Sequence, residues 1–349
     1  MEKIRLGRTE LMVSASSFGA LPIQRISEAE STKLLRMAYE GGMNYFDTAN
    51  SYTDSEEKIG KALSHVRHDI IISTKTGATD KKTALAHIEN SLRMLKTDYI
   101  DLIQLHNPAQ LPDVDDPDST YGALKEAQKK GYVRFIGITN HHADRAREAV
   151  LSGAYDTLQF PFSSLAAERD IELAKLTHEK DMGFIAMKGL SGGLITNAAT
   201  TFSFIKQYPF VVPIWGIQKE SELKEFLELE KNPPVYEEML PIIEQDRKEL
   251  CGDFCRGCGY CLPCPVGIDI PTVARMSLML RRMPVAGQMR PAKRERVANI
   301  ANCIGCRKCA ERCPYHLDTP ALLKESLADY QAFAAEYDKK MAEESKGNC

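Results

Sequence analysis

Residues 69–107 read DIIISTKTGATDKKTALAHIENSLRMLKTDYIDLIQLHN. Two short runs rich in aliphatic and β-branched residues, DIIISTK (69–75) and IDLIQLH (100–106), flank KTALAHIENSLRMLK (82–96), an amphipathic stretch of helical length. The segment reads as strand, helix, strand. Outward from it the same alternation recurs, with further strands expected at VSASSF (13–18), NYFD (44–47), RFIGIT (134–139), TLQF (157–160), GFIAMK (183–188) and FVVPIW (210–215). Helical stretches such as EAESTKLLRMAYEGG (28–42) and ADRAREAVLSG (143–153) lie between them. Eight β/α units fit a closed (β/α)8 TIM barrel better than an open doubly wound sheet, and in such barrels the chemistry sits at the C-terminal ends of the strands.

Those ends carry a coherent set of groups. Asp47 closes the second expected strand, with Tyr52 five residues on in DTANSY; Lys75 closes the third and His106 the fourth. Taken singly, each has an ordinary structural reading as a helix cap, a loop side chain, a solvated cation or a hydrogen-bonded histidine. Together on one rim they describe acid catalysis. A phenol with a pKa of about 10 is a poor acid at neutral pH, and a neighbouring ammonium lowers that value by favouring the ionised form. The aspartate can orient the lysine, and the histidine can donate to a carbonyl oxygen as negative charge develops on it.

On these residues the sequence resembles the aldo-keto reductase family, over roughly residues 3–229. The resemblance includes RLGRTELMVS (5–14), similar to the family's barrel-closing hairpin, and FGALPI (18–23). It implies that Asp47, Tyr52, Lys75 and His106 are a catalytic tetrad, that Thr139, Asn140 and Gln159 hold a nicotinamide carboxamide, and that Phe162 stacks on the nicotinamide ring. It further implies NADP(H) or NAD(H) as cofactor and a small-molecule carbonyl as substrate. After the eighth strand, WGIQKESELKEF (215–226) departs from the family pattern. Trp215 replaces a proline, Gln218 stands at a basic position and Phe226 stands near an asparagine, leaving Lys219 and Ser221 as phosphate or ribose contacts. The GLSGG run beginning at Gly189 reads either as backbone amides for a pyrophosphate or as a turn. Asp113, Asp115, Asp116 and Asp118 read as a cation site or as a solvated loop, the second being the usual fate of such runs.

The 349 residues suffice for two domains, and NPPVYEE (232–238) marks a break between a barrel at 1–232 and a second domain at 233–349. All ten cysteines lie from Cys251 onward. Eight of them form two runs, Cys255, Cys258, Cys261 and Cys264-Pro265, then Cys303, Cys306, Cys309 and Cys313-Pro314. The second run has the C-x2-C-x2-C-x3-C-P spacing of bacterial ferredoxins; the first is one residue tighter before its last cysteine. Zinc sites are the alternative, needing four ligands per ion. This half resembles dicluster ferredoxin modules, and the whole chain resembles aldo-keto reductases that carry one. The resemblance implies two 4Fe-4S clusters with crossed ligation, one on Cys255, Cys258, Cys261 and Cys313, the other on Cys303, Cys306, Cys309 and Cys264. Cys251 and Cys349 are left over.

A hydride moves two electrons together, whereas such clusters pass one at a time. The clusters are therefore expected to be structural staples, single-electron donors to the barrel, or redox sensors; the last makes the chain a non-enzymatic iron-sulfur protein. Seven basic residues from Arg275 to Arg296, opposed in that stretch only by Glu295, read as a solvated helical face, the usual fate of charge runs, or as a docking patch for an acidic carrier such as ferredoxin or flavodoxin. A net charge of −3 gives no argument for nucleic acid, no apolar run spans a bilayer, and the N-terminus MEKIRLGRTE has no leader-like core, so a cytoplasmic enzyme is expected.

Overall fold

The computed structural model describes residues 1–250 and 254–347. It divides into two compact units, residues 1–189 with 197–245, and residues 190–196 with 246 onward.

In the first unit a short antiparallel hairpin, β1 (Lys3–Arg5) and β2 (Met12–Ser14), precedes eight strands: β3 (Ser17–Gly19), β4 (Tyr45–Asp47), β5 (Ile71–Thr76), β6 (Ile100–His106), β7 (Val133–Thr139), β8 (Thr157–Pro161), β9 (Gly183–Met187) and β10 (Val211–Gly216). β3 to β10 pair in parallel in sequence order, and β10 returns to β3 to close the barrel. Around it run α1 (Glu28–Glu40), α2 (Ser55–Leu63), α3 (Lys81–Leu95), α4 (Thr120–Lys129), α5 (Ala143–Ser152), α6 (Glu168–Glu179), α7 (Ala198–Lys206) and α8 (Glu220–Lys231). The expected fold class is the one observed. The run VSASSF, however, contains parts of two strands, because Met12–Ser14 pair with the hairpin and only Ser17–Gly19 join the barrel.

Local chemistry sets the helix ends. Ser27 and Glu30 form a reciprocal capping box on α1, and the carboxylate of Asp80 accepts the Thr83 N–H at the start of α3. Every residue of β5 is buried, as expected of a parallel strand covered on both faces.

Side chains two apart share a strand face, so the barrel interior is built in layers. At the N-terminal end the layer is apolar, with Leu6, Leu11 and Val13 packed among Tyr45, Ile71, Leu102, Ile185 and Val212. Two residues further along the strands it becomes polar, with Asp47, Ser73, Gln104 and Gln159 all buried. This change of layer places the ionisable groups at the C-terminal mouth.

α9 (Tyr236–Glu249) begins after the Pro233-Pro234 pair and carries the division between the units inside it. Short helices follow: α10 (Ile270–Val273), α11 (Met276–Arg282), α12 (Val285–Gln288), α13 (Pro291–Ala298) and α14 (Lys308–Glu311). They pack along the long α15 (Thr319–Gly347). Leu323, Ser326, Tyr330 and Ala334 recur on one buried face of α15, where Ser326 donates to Val273 O and Tyr330 to Gln288 O. Among the described residues no helix is long and apolar enough to cross a membrane.

Candidate active site and cysteine sites

At the barrel mouth Lys75 is 1% exposed, and its Nζ donates to Asp47 Oδ2 and to the Thr48 carbonyl, each at 2.6 Å. Burial pushes the ammonium's pKa down, and the Asp47 carboxylate opposes that push. The second carboxylate oxygen of Asp47 accepts from Ser73 Oγ at 2.7 Å and from Gln104 Nε2 at 3.3 Å. Gln104 Nε2 also reaches Gln159 Oε1 at 2.9 Å, so one hydrogen-bonded layer spans four strands beneath the rim.

Tyr52, half-buried in the loop after β4, lies edge-on to His106 with ring centroids 5.7 Å apart and an interplanar angle of 79°. Its ring centroid is 5.4 Å from Lys75 Nζ. Burial, reinforced by the charge on Lys75, pushes His106 down to about 3, so its imidazole is neutral at physiological pH. The four residues read from the strand ends are therefore gathered in one place.

The residues expected to hold the nicotinamide divide. Thr139 ends β7, Asn140 follows it, and both are buried; Thr139 Oγ1 accepts from the Asn107 N–H, and Asn140 laces the loop to Pro108 O and the His142 N–H. Phe162 follows β8 directly. It is 1% exposed, with its ring enclosed by Phe184, Phe204 and Tyr208, each with a centroid 5.4 Å away. Gly189 packs closely against Trp215, since a Cβ there would lie 2.5 Å from Trp215 Cζ3. Trp215 in turn stacks on Phe226 at 4.3 Å and 15°, so the two departures from the family pattern are one packing unit. Lys219 and Ser221 are exposed at the start of α8, but Glu222 accepts the backbone N–H groups of Gln218 and Lys219 at 2.9 and 3.1 Å. The aspartates at 113–118 are exposed; Asp113 and Asp116 accept backbone N–H groups two residues on, as in a solvated loop.

Sequence reading passed over Gln104, Met187 and His141. Gln104 had a signal, being two residues before His106 and hence on the same inward face. Met187 ends β9 with its sulfur 3.8 Å from Gln159 Nε2, and an apolar strand end carries no signal. His141 is buried and its pKa is pushed far down by burial, then by Lys188 and His106.

In the second unit one cavity is lined by Cys255, Cys258, Cys261 and Cys313, with Tyr315 and Ile270. Another is lined by Cys264, Cys303, Cys306 and Cys309, with Ile268 and Leu323; Cys261 borders both. Among the described residues no three Cys, His, Asp or Glu side chains converge on a point that could hold a single metal ion. Thiols spaced around a cavity suit a cluster better than a zinc ion. The Gly257 N–H donates to Cys255 Sγ at 3.4 Å, a contact of the kind that stabilises cluster sulfurs. Cys303 and Cys306 are exposed, while the cysteines of the first cavity are partly buried. Cys251 and Cys349 lie outside the described residues.

Three members of the arginine run have acidic partners. Arg281 forms two hydrogen bonds with Asp329, Arg294 two with Asp338, and Arg282 bonds with Asp246 and Glu249. Acidic residues distant in sequence pair with these three cations and tie helices of the second unit together.

A closed parallel barrel with an Asp–Lys–Tyr–His mouth, joined to a module of eight spaced cysteines, defines an oxidoreductase scaffold with iron-sulfur capacity. The chain belongs to the aldo/keto reductase family, whose sequence model matches residues 14–207, and residues 254–318 match the 4Fe-4S dicluster domain. An uncharacterized oxidoreductase of Bacillus subtilis is 31% identical over 210 residues, 56% of this chain and 67% of the relative. L-galactose dehydrogenase of Arabidopsis thaliana is 31% identical over 211 residues, covering 55% and 66%. A relative from Escherichia coli named NADH-specific methylglyoxal reductase is 26% identical over 265 residues, covering 67% and 81%. The chain spans 60% to 67% of the length of several of these curated relatives. Among solved structures, an aldo-keto reductase from Bacillus halodurans in its holo form superposes with a TM-score of 0.62 at 24% identity over 70% of this chain and 96% of its own. One from Klebsiella pneumoniae in complex with NADPH does so with a TM-score of 0.62 at 19% identity, covering 70% and 95%. Both likenesses concern the fold.

Proposed function

We propose that the protein reduces the carbonyl group of a small molecule at the barrel mouth, with Tyr52 as proton donor. The observation that carries this reading is the placing of Tyr52 against both Lys75 and the neutral ring of His106. Lys75, held by Asp47, favours the phenolate left when the proton departs, and His106 donates an N–H to the substrate oxygen. A bound nicotinamide supplies the hydride, with Thr139, Asn140 and Gln159 at its carboxamide. The residues at the start of α8 suit NADH better than NADPH, because Gln218 brings no charge and Glu222 already holds two backbone amides where an additional phosphate would need donors. The name of the Escherichia coli relative agrees with that preference, whereas the Klebsiella pneumoniae neighbour was solved with NADPH.

The two cavities support crossed ligation of two 4Fe-4S clusters, one by Cys255, Cys258, Cys261 and Cys313 and one by Cys303, Cys306, Cys309 and Cys264. A second reading, in which the barrel receives single electrons from a ferredoxin or flavodoxin through the clusters, is favoured by the exposure of Cys303, Cys306 and the intervening Ile304. The test is the visible spectrum of anaerobically prepared protein before and after addition of NADH. Oxidation of NADH by carbonyl compounds with unbleached clusters supports the first reading. Inertness towards NADH together with turnover on a reduced carrier refutes it in favour of the second.

A further inference from the structure

Arg275, the residue before α11, has its guanidinium between two backbone segments of the second unit. Nη1 donates to the Gly192 carbonyl at 2.9 Å. A Cβ on Gly192 would lie 2.5 Å from Nη1, and a Cβ on Gly257 would lie 3.0 Å from Cζ and 3.1 and 3.2 Å from the two terminal nitrogens. The guanidinium thus lies against the backbone of the Cys255-x-x-Cys258 loop, at a residue whose own N–H donates to Cys255 Sγ. Both glycines are left-handed, with φ of +68° and +66°, so neither position accepts a side chain without strain. Gly192 belongs to residues 190–196, the segment that follows β9. Arg282 also holds that segment, through Leu194 O, but it pairs with Asp246 and Glu249 rather than with a cysteine loop.

We propose that Arg275 is a positioning residue that raises the reduction potential of the cluster on the Cys255 side and ties the order of residues 190–196 to that cluster's oxidation state. The proposal rests on the reading that Cys255, Cys258, Cys261 and Cys313 hold a 4Fe-4S cluster. One-electron reduction adds one negative charge to the cluster and makes or breaks no bond; the electron comes from an external one-electron reductant. A cation in contact with the ligand loop favours the more negative state. The same cation holds Gly192, so reduction, by fixing the Arg275 side chain more firmly, restrains the segment bonded to it. By linkage, whatever the segment's order contributes to reduction, reduction returns to the segment.

The test is a mediated redox titration of the full chain with dithionite, followed by electron paramagnetic resonance, alongside amide hydrogen exchange of residues 190–196 in the oxidised and reduced states. In the wild type, reduction should slow exchange in that segment. Arg275→Gln should lower the reduction constant of one cluster about tenfold, about 59 mV for a one-electron couple, leave the other in place, and abolish the redox dependence of exchange. Arg275→Lys should recover most of the potential, since it keeps the charge, but not the exchange effect, since it lacks the planar fork. Equal exchange in both states of the wild type overturns the proposal whether or not the variants fold. So does an Arg275→Gln protein with full iron whose potentials are unmoved or shifted together. Stoichiometric zinc without iron removes the cluster reading and the proposal with it.

Discussion

Lys75 illustrates how a barrel makes one residue do chemistry. Its ammonium is buried, which alone would discharge it, and the carboxylate of Asp47 at 2.6 Å opposes that loss. If that cation sustains Tyr52 as an acid, Tyr52→Phe should lower turnover by about two to four orders of magnitude while cofactor binding stays nearly unchanged. Lys75→Met should do the same, and carbonyl reduction retained in both would remove the tetrad from the mechanism. His106 supplies a pH test. Its folded pKa is about 3 and its ordinary value about 6.5, so between those limits the unfolded chain binds a proton that the folded one does not. Stability is therefore full above about pH 6.5 and falls as the pH is lowered towards 3, and His141 acts in the same direction. Denaturant midpoints measured from pH 7.5 to 5 should show this fall, with a smaller slope in His106→Gln; identical slopes would mean the ring is not neutral. Asp47, Lys75 and His106 were legible because a polar residue at the C-terminal end of a barrel strand is visible in a single sequence. Phe162 is less legible because it lies just beyond β8, where the strand period no longer says which way a side chain points.

At the scale of elements, strand alternation and helical spacing carried nearly the whole barrel, and β6 has the limits read for it. Less legible was the start, where Ala15 and Ser16 separate hairpin from barrel without any glycine or proline to mark the change. The packing between β10 and α8 was invisible for another reason: Trp215 and Phe226, eleven residues apart, and Gly189, just past β9, meet only once strand and helix pack on one another. Trp215 is the only tryptophan in the chain, so this unit can be observed directly. Gly189→Ala should overpack it, at about 1–3 kcal/mol, and change the tryptophan emission. Phe226→Ala should remove the stacked ring at about 3–5 kcal/mol and shift the emission differently, because a cavity admits solvent or motion where a clash displaces the indole. Wild-type emission and stability in both variants would show that the stack is not holding α8 to the barrel.

At the scale of the whole molecule, the cysteine spacing was legible and the fate of the arginines was not, because charge opposition was judged along the chain while the acidic partners sit on α9 and α15. These pairs bear on a variant with Arg281, Arg282 and Arg294 all changed to Glu. On a free patch the triple reversal would slow an acidic carrier and leave the fold intact. In the observed arrangement Arg281 faces Asp329 and Arg294 faces Asp338 at partly exposed sites, so each single reversal should cost only about 1 kcal/mol. Arg282 differs, with a side chain 9% exposed between Asp246 and Glu249; reversing it would put a third carboxylate among two, at about 3–5 kcal/mol. The triple variant should therefore lose iron and melt at lower temperature before any question of docking arises, with most of the loss reproduced by Arg282→Glu alone. Exchanging the partners, as in Arg281→Glu with Asp329→Arg, should return the stability lost by Arg281→Glu, because the pair is rebuilt with its ends swapped. A triple variant with wild-type melting and full iron that fails only to accept electrons from an acidic carrier would restore the patch as a docking surface.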